Sequence, residues 1–116
     1  MERMMIVEDH SAFAQALDLV LGEGTEVVLA RTLEEGRALI RDSGPFDVVV
    51  LDLALPDGVG TDLLPEIRER HPRTRVAVLS ARDDIHEVAS KAGADATIPK
   101  ETPLPEIISS LRRLAG

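Results

Sequence analysis

Cysteine, tryptophan and tyrosine are absent from this sequence, and phenylalanine occurs only twice in 116 residues. The absence of cysteine excludes a disulfide framework, a thiolate metal site and a thiol nucleophile. The scarcity of aromatic side chains leaves no platform on which nucleic-acid bases could stack. The net charge of −8 would also repel a phosphate backbone, so we expect no direct nucleic-acid binding by this chain.

Long apolar runs are absent as well. The first apolar run covers only residues 4–7, which is far shorter than a signal-peptide core. Nowhere do about 18 apolar residues follow one another, so we expect no contact with the membrane. Together with the lack of cysteine, this predicts a cytoplasmic protein. The length suits one domain over residues 1–116, which would bury roughly two-thirds of its unfolded surface.

Short apolar segments alternate with amphipathic ones along the whole chain. The apolar segments have the length and β-branched content of strands, and they cover residues 4–7, 26–30, 48–51, 76–79 and 96–98. Helical spacing follows each of them, most clearly at Leu104, Ile107, Ile108 and Leu111. Five strands and five helices in strict alternation predict an α/β fold in which right-handed crossovers join parallel strands. Helices on both faces would explain why the third strand, VVVL, is apolar throughout.

Capping residues indicate where the helices begin and end. The C-terminal ends are marked by Gly22, Gly44 and Gly93. Thr32 and Glu35 have the spacing of a capping box. The expected N-caps are Ser11, Thr32, Thr61, Asp83 and Thr102, and Pro103 suits a first turn.

Candidate site residues follow four of the five predicted strands, and the second strand is followed only by Arg31. Glu8 and Asp9 follow the first strand, Asp52 the third, Ser80 the fourth and Lys100 the fifth. In open parallel sheets, ligands bind beyond the carboxyl ends of the strands, where the strand order reverses. If the order is 2-1-3-4-5, the first and third strands flank that point. The ends of these two strands should then bring three carboxylates together.

Three neighbouring carboxylates need a cation, because two of them about 4–6 Å apart repel by roughly 3–4 kcal/mol at an effective dielectric near 20. Mg²⁺ accepts carboxylate, carbonyl and water oxygens and leaves room for a phosphoryl oxygen. Lys100 can pair with Asp52 at rest and hold a phosphoryl group later, and Ser80 offers a hydroxyl donor. Formation of an acyl phosphate on Asp52 uses an aspartate nucleophile, a divalent metal and a lysine, and these residues can supply the two side chains and bind the metal.

Other polar residues have simpler interpretations. Asp57, in the sequence Pro-Asp-Gly, is interpreted as a turn residue that shapes the loop after Asp52. The basic segment 68–75 should complement the dipole at a helix end. The three histidines show no metal-ligand spacing and are assigned to solvent; they are His10, His71 and His86.

At this point the chain resembles the receiver domains of two-component response regulators. The segments VEDH, DVVVLDLALPDGVG, VAVLSA and IPK match the strand-end motifs of that family in order and spacing. The resemblance implies a CheY-like, flavodoxin-like fold in which Asp52 accepts a phosphoryl group from a histidine kinase. Glu8, Asp9, Asp52 and the backbone carbonyl of Ala54 would surround Mg²⁺. Ser80 and Lys100 would hold the phosphoryl oxygens.

The two ends of the chain look closest to the NarL-type subfamily. They are EDHSAFAQAL and ATIPKETPLPEIISSLRRL. That likeness implies transcription regulation through a DNA-binding domain outside this sequence, with possible homodimerisation on activation. The chain is either an excised domain or a free-standing receiver. It would be a phosphoacceptor that assists its own phosphotransfer and dephosphorylation rather than an enzyme acting on other substrates.

Two positions depart from the family pattern. Thr97 stands where relatives commonly have tyrosine or phenylalanine, so we expect the contribution of the usual aromatic ring to be absent. Pro99 precedes Lys100, whereas the family commonly has a proline after the lysine. Neither change touches the phosphorylation chemistry.

Three other functions compete with this interpretation. A hydrolase of the haloacid dehalogenase type would carry its DxD motif after the first strand, but here the acid follows the third strand, in Asp52-Leu53-Ala54. A flavin-binding protein would need Ser, Thr and Gly in the first loop, which here reads EDHSAF. A pseudo-receiver, which keeps the fold as an interaction module without phosphorylation, is the more serious alternative.

Overall fold

The computed structural model describes residues 2–116, and it contains the alternating elements that the sequence predicts. The strands are β1 (Glu2–Val7), β2 (Thr25–Ala30), β3 (Val48–Leu51), β4 (Arg75–Ser80) and β5 (Ala96–Pro99). The helices are α1 (Ser11–Leu21), α2 (Leu33–Ser43), α3 (Leu64–Arg70), α4 (Ile85–Ala92) and α5 (Leu104–Ala115). A short 3₁₀ helix, Gly60–Leu63, leads directly into α3.

The five strands form one parallel sheet in the order β2-β1-β3-β4-β5. The predicted fold class and strand order are therefore confirmed. Strands β1 and β3 are neighbours in the sheet although α1, β2 and α2 separate them in sequence. The order reverses between these two strands, and in open parallel sheets ligands bind beyond the carboxyl ends of the strands at such a point.

Apolar side chains cover both faces of the sheet. On one face, Met4, Ile6, Val48 and Val50 pack with residues of α1 and α5. On the other, residues of β1, β3 and β4 pack with α2 and α3, and Val78 packs with Ile85 and Ala89 of α4. All four residues of β3 are buried. The double covering thus explains the continuous apolar run that the sequence shows.

The helix ends confirm some predicted caps and correct others. The Thr32 side chain accepts a hydrogen bond from the Glu35 amide, and Gly22, Gly44 and Gly93 follow the ends of α1, α2 and α4, as expected. The other four N-cap predictions are wrong. Helices α3 and α5 begin later than predicted, and each has a proline in its first turn. A proline fits there because its missing N–H would have no partner within the helix, whereas an interior position needs that N–H. The caps expected at Ser11, Asp83 and Thr102 lie one residue away, at His10, Asp84 and Pro103, and Thr61 lies inside the 3₁₀ helix.

Two arginines tie together the amino-terminal edge of the sheet. Arg3 Nε donates to Glu26 at 2.7 Å, and its Nη1 donates to the Ser43 and Pro45 carbonyls at 2.7 and 2.9 Å. Arg68 reaches the Thr74 and Gly93 carbonyls, each at 2.9 Å, and the Asp95 carboxylate at 3.0 Å. The basic segment 68–75 therefore contributes specific structural contacts as well as charge at a helix end.

The His71 ring is half-buried, with Nε2 3.0 Å from the Ile40 carbonyl oxygen, so its assignment to solvent is wrong. His10 and His86 are exposed, as expected. Within residues 2–116, no helix has both the length and the apolar character needed to cross a membrane.

Candidate functional site

Backbone hydrogen bonds between neighbouring strands fix the polar residues at the carboxyl edge of the sheet. The Glu8 amide donates to the Ala30 carbonyl at 2.9 Å, and the Asp52 amide donates to the Val7 carbonyl at 3.0 Å. The Lys100 amide donates to the Ser80 carbonyl at 3.0 Å. The parallel ladder thus continues one residue past the strands and holds the backbones of the site in register.

Lys100 joins two buried carboxylates at the point where the strand order reverses. Its Nζ lies 2.9 Å from both Glu8 carboxylate oxygens and 3.0 Å from Asp52 Oδ2. The Glu8 and Asp52 residues are only 3% and 5% exposed. The pair expected between Lys100 and Asp52 is present, and Glu8 completes a group of three charges.

The two acids share one ammonium, and this shapes the proton affinities of the group. Burial raises the pKa of the Glu8 carboxyl, and the neighbouring Asp52 adds to the rise, while Lys100 and the His10 amide oppose it. Burial alone would lower the pKa of Lys100. Its hydrogen bonds to Glu8 and Asp52 outweigh burial, and the pKa stands above its ordinary value. With both acids ionised, the group carries one negative charge in excess.

The structure brings only two of the three predicted acids together. Asp9 is exposed, next to Glu8 in sequence but outside the contacts of Lys100. Among residues 2–116, no three histidine, aspartate or glutamate side chains converge on one point. Even so, Glu8, Asp9 and Asp52 offer the hard oxygen ligands that Mg²⁺ prefers, and the excess negative charge at Lys100 favours a divalent cation. The residues therefore fit this metal.

The loop after Asp52 folds tightly back on the carboxylate. The Ala54 amide donates to Asp52 Oδ1 at 3.2 Å. A narrow turn follows, closed by hydrogen bonds of 3.1 and 3.3 Å between the backbones of Leu55 and Gly58. At Gly60 the chain returns so close that an added Cβ would stand 1.9 Å from the Asp52 carbonyl oxygen. Only glycine therefore allows this approach to the backbone of Asp52.

Asp57 has a contact that sequence reasoning missed. Its carboxylate accepts hydrogen bonds from the amides of Leu33 and Glu34, at 2.8 and 3.1 Å. The Leu33 hydrogen bond is the main reason why the pKa of Asp57 is lowered. The residue lies in the predicted turn, and it also caps α2 from another loop. A Pro-Asp-Gly turn carries no signal for such a distant partner.

Ser80 lies at the end of β4 and is 1% exposed. Its Oγ accepts a hydrogen bond from the Arg82 amide at 3.3 Å, and Arg82 in turn pairs with Asp84 at 2.8 Å. Residues 81–84 are all exposed. Ser80 is therefore a buried residue from which the exposed loop between β4 and α4 begins.

The fold and the carboxyl-edge site define a doubly wound α/β domain with an aspartate and a lysine paired at the point where strand order reverses. The family model of the response regulator receiver domain matches residues 4–112. The chain belongs to this family, and it is the receiver domain of a two-component response regulator.

Individual relatives agree with this assignment. The chain is 34% identical to the response regulator protein PilR of Pseudomonas aeruginosa, covering 97% of this chain and 26% of that protein. The receiver domain of HemR from Leptospira biflexa is 33% identical, with a TM-score of 0.89 and coverage of 100% and 95%. TrrA from Thermotoga maritima, solved in complex with Mg²⁺ and BeF, is 28% identical, with a TM-score of 0.85 and coverage of 98% and 99%.

The curated relatives are longer than this chain. It spans 26% of PilR and about half of other transcriptional regulators, such as 50% of KdpE from Escherichia coli.

Proposed function

We propose that this domain accepts a phosphoryl group on Asp52 from the phosphohistidine of a histidine kinase. The single observation that carries the proposal is the buried Asp52 carboxylate, held 3.0 Å from Lys100 Nζ at the carboxyl edge of the sheet. In the transfer, an Asp52 oxygen bonds to phosphorus while the bond from phosphorus to the histidine nitrogen breaks. The electron pair of that bond stays with the departing imidazole, which takes up a proton from water.

Neighbouring residues have separate parts in this reaction. Lys100 already offsets the charge of Asp52 and can follow a phosphoryl oxygen with its three N–H donors. Ser80 supplies a neutral hydroxyl donor from the next strand. Glu8, Asp9, Asp52 and the Ala54 carbonyl would hold Mg²⁺, which when bound supplies positive charge to the transferring phosphoryl group.

The consequence of phosphorylation would be a changed surface that a downstream output recognises. We assign residues 1–116 to a single receiver domain of a transcription regulator in the cytoplasm. Its DNA-binding domain would lie outside this sequence, and activation would involve a homodimer. The finer assignment to the NarL type rests on the two end segments EDHSAFAQAL and ATIPKETPLPEIISSLRRL. The domain acts as a phosphoacceptor that assists its own phosphotransfer and dephosphorylation.

Intact-mass spectrometry tests the phosphorylation directly. The wild-type domain, incubated with Mg²⁺ and acetyl phosphate, should gain one phosphoryl group, and Asp52→Asn should gain none. Hydroxylamine should release the group from the wild type, since it cleaves acyl phosphates. A wild-type protein that stays unmodified would favour the pseudo-receiver, and the same adduct on Asp52→Asn would place the reaction elsewhere.

A second experiment separates the metal-binding residues from those that hold the phosphoryl group. Asp9→Ala should weaken Mg²⁺ binding, measured by calorimetry, because a hard oxygen ligand is lost. Lys100→Ala should retain Mg²⁺ binding but weaken the capture of beryllofluoride, which mimics a phosphoryl group. Equal loss of Mg²⁺ affinity in the two variants would contradict this division.

A further inference from the structure

Both phenylalanines of this chain lie beneath a cation. Lys100 Nζ stands 5.1 Å from the centroid of the Phe13 ring, and the Arg3 guanidinium carbon stands 4.8 Å from that of Phe46. The negative face of an aromatic ring attracts a cation at such distances. The two contacts lie at opposite edges of the sheet, because Phe13 follows β1 whereas Phe46 precedes β3. One of them is therefore part of the candidate site, and the other provides a natural comparison.

Lys100 must reach across the sheet with its side chain, so a contact that holds the side chain in this conformation is favourable. Its backbone follows β5, at one edge of the sheet, but its ammonium contacts Glu8 after β1, and β3 and β4 lie between these strands. The side chain must therefore stay extended, and holding a lysine in one conformation costs up to about 2 kcal/mol of rotamer entropy. Phe13, in the first turn of α1, packs against the core, and Lys100 Nζ lies over its ring.

We propose that Phe13 is a positioning residue that keeps the Lys100 ammonium beside Asp52 as it exchanges its carboxylate partners for a phosphoryl oxygen. The inference rests on the proposed phosphorylation of Asp52. Hydrogen bonds to Glu8 and Asp52 are directional, so they must break when Lys100 turns to a phosphoryl oxygen. Attraction to the face of a ring depends much less on orientation, so it persists after the turn. The ring adds little at rest, where Glu8 and Asp52 already hold the ammonium, and it contributes most once those two bonds are broken. The sequence pattern carries no signal for this role, because Phe13 falls within an ordinary amphipathic helix pattern.

Three variants test the role of the ring. Phe13→Leu keeps an apolar side chain and removes the ring, whereas Phe13→Tyr keeps the ring. Phe46→Leu removes the matched ring under Arg3 at the opposite edge. Since the chain has no tryptophan or tyrosine to report by fluorescence, the affinity for beryllofluoride in saturating Mg²⁺ is best measured by calorimetry.

Phe13→Leu should weaken beryllofluoride binding about two- to fivefold, the range for a partly exposed cation and ring. Phe13→Tyr and Phe46→Leu should bind as the wild type does. A Phe13→Leu variant with unchanged affinity would overturn the proposal. The same loss in Phe46→Leu would also overturn it, because a general loss of stability would then explain both.

A second background shows whether Phe13 acts through Lys100. In Lys100→Met, adding Phe13→Leu should cause no further loss of beryllofluoride affinity. A full further loss there would overturn the positioning role. These results differ from failure of the proposed function, in which the wild-type domain itself binds no beryllofluoride and takes no phosphoryl group from acetyl phosphate.

Discussion

Replacing Lys100 by methionine should destabilise the resting domain by repulsion between Glu8 and Asp52. Lys100 Nζ lies 2.9 Å from a Glu8 oxygen and 3.0 Å from an Asp52 oxygen, so those two oxygens are at most about 5.9 Å apart. At an effective dielectric near 20, two charges at that separation repel by about 3 kcal/mol. Methionine keeps the length of the side chain but leaves this repulsion unopposed. The free energy of unfolding at pH 7 should therefore fall by about 3 kcal/mol.

Urea denaturation without Mg²⁺ measures this change. A loss of about 3 kcal/mol corresponds to a midpoint lowered by roughly 1–3 M urea. Asp52→Asn alone should be at least as stable as the wild type, because Lys100 and Glu8 remain paired and one charge disappears. Adding Asp52→Asn to Lys100→Met should recover most of the loss. If the double variant is as unstable as Lys100→Met alone, repulsion between the two carboxylates is not the cause.

The pH dependence of Lys100→Met provides an independent check. Burial raises the pKa of Glu8 in the folded state, and losing the lysine removes an opposing effect. The folded variant then binds a proton more tightly than the unfolded chain does, so its stability falls as the pH rises through the raised pKa. The deficit should be largest at pH 7 and should shrink as the pH approaches 4.5, the ordinary pKa of this carboxyl. A deficit that stays constant over this range would refute the electrostatic explanation.

Three further experiments have definite expected outcomes. In urea denaturation, Gly60→Ala should lower the free energy of unfolding more than Gly93→Ala does. The Cβ added at Gly60 would stand 1.9 Å from the Asp52 carbonyl oxygen. The Cβ added at Gly93 meets open space, so that substitution costs only about 1–2 kcal/mol for the positive φ of this residue. Asp57→Ala should be less stable than the wild type at pH 7. This difference in stability should shrink as the pH falls toward the lowered pKa of Asp57, because protonation then weakens the same hydrogen bonds in the wild type. Denaturation of both proteins at pH 7 and pH 3 measures the change. Arg3→Met should lower the free energy of unfolding by about 2 kcal/mol in thermal melts and leave acetyl phosphate labelling unchanged, because its hydrogen bonds lie at the other edge of the sheet.

The sequence predicts the sheet well because its strand signals are local. Short β-branched runs are buried on both faces, so they stay apolar throughout, and β3 has the predicted bounds of 48–51. The polar residues just after these runs are equally visible. Parallel strands bring their carboxyl ends to one edge, which is how Glu8, Asp52 and Lys100 could be expected to lie together without any knowledge of side-chain positions.

Contacts between distant loops could not be predicted in this way. The partners of the Asp57 carboxylate lie on α2, 24 and 23 residues earlier in the chain, and no spacing rule relates them. The ring of Phe13 is equally ambiguous, since an aromatic residue in an amphipathic helix is usually a core residue. The helix starts were missed for a related reason: the first-turn prolines of α3 and α5 and the loop backbones decide them, more than the nearest Ser, Thr or Asp.

We expect phosphorylation to change the surface through Ser80 rather than through Thr97, which lies on the neighbouring strand. A phosphoryl group on Asp52 would add negative charge and acceptor oxygens beside the buried Ser80 hydroxyl. At rest this hydroxyl accepts a hydrogen bond from the Arg82 amide at 3.3 Å. The bond is long and therefore weak, so a bond to a phosphoryl oxygen can easily replace it. Turning toward the phosphoryl group would release that amide and free the exposed loop 81–84. The following helix, α4, buries only Ile85 and Ala89, so it has few contacts to resist a shift.

Thr97 is half-buried on β5, where it pairs with Val78. It lacks the ring that would occupy space vacated by Ser80, so we expect the response to depend on Ser80. Ser80→Ala should still capture beryllofluoride but should lose most of the amide chemical-shift changes over residues 83–92, while Thr97→Val should keep them. If Thr97→Val erased the shifts as fully as Ser80→Ala, the threonine hydroxyl would be part of the switch, and the loop would not be controlled by Ser80 alone.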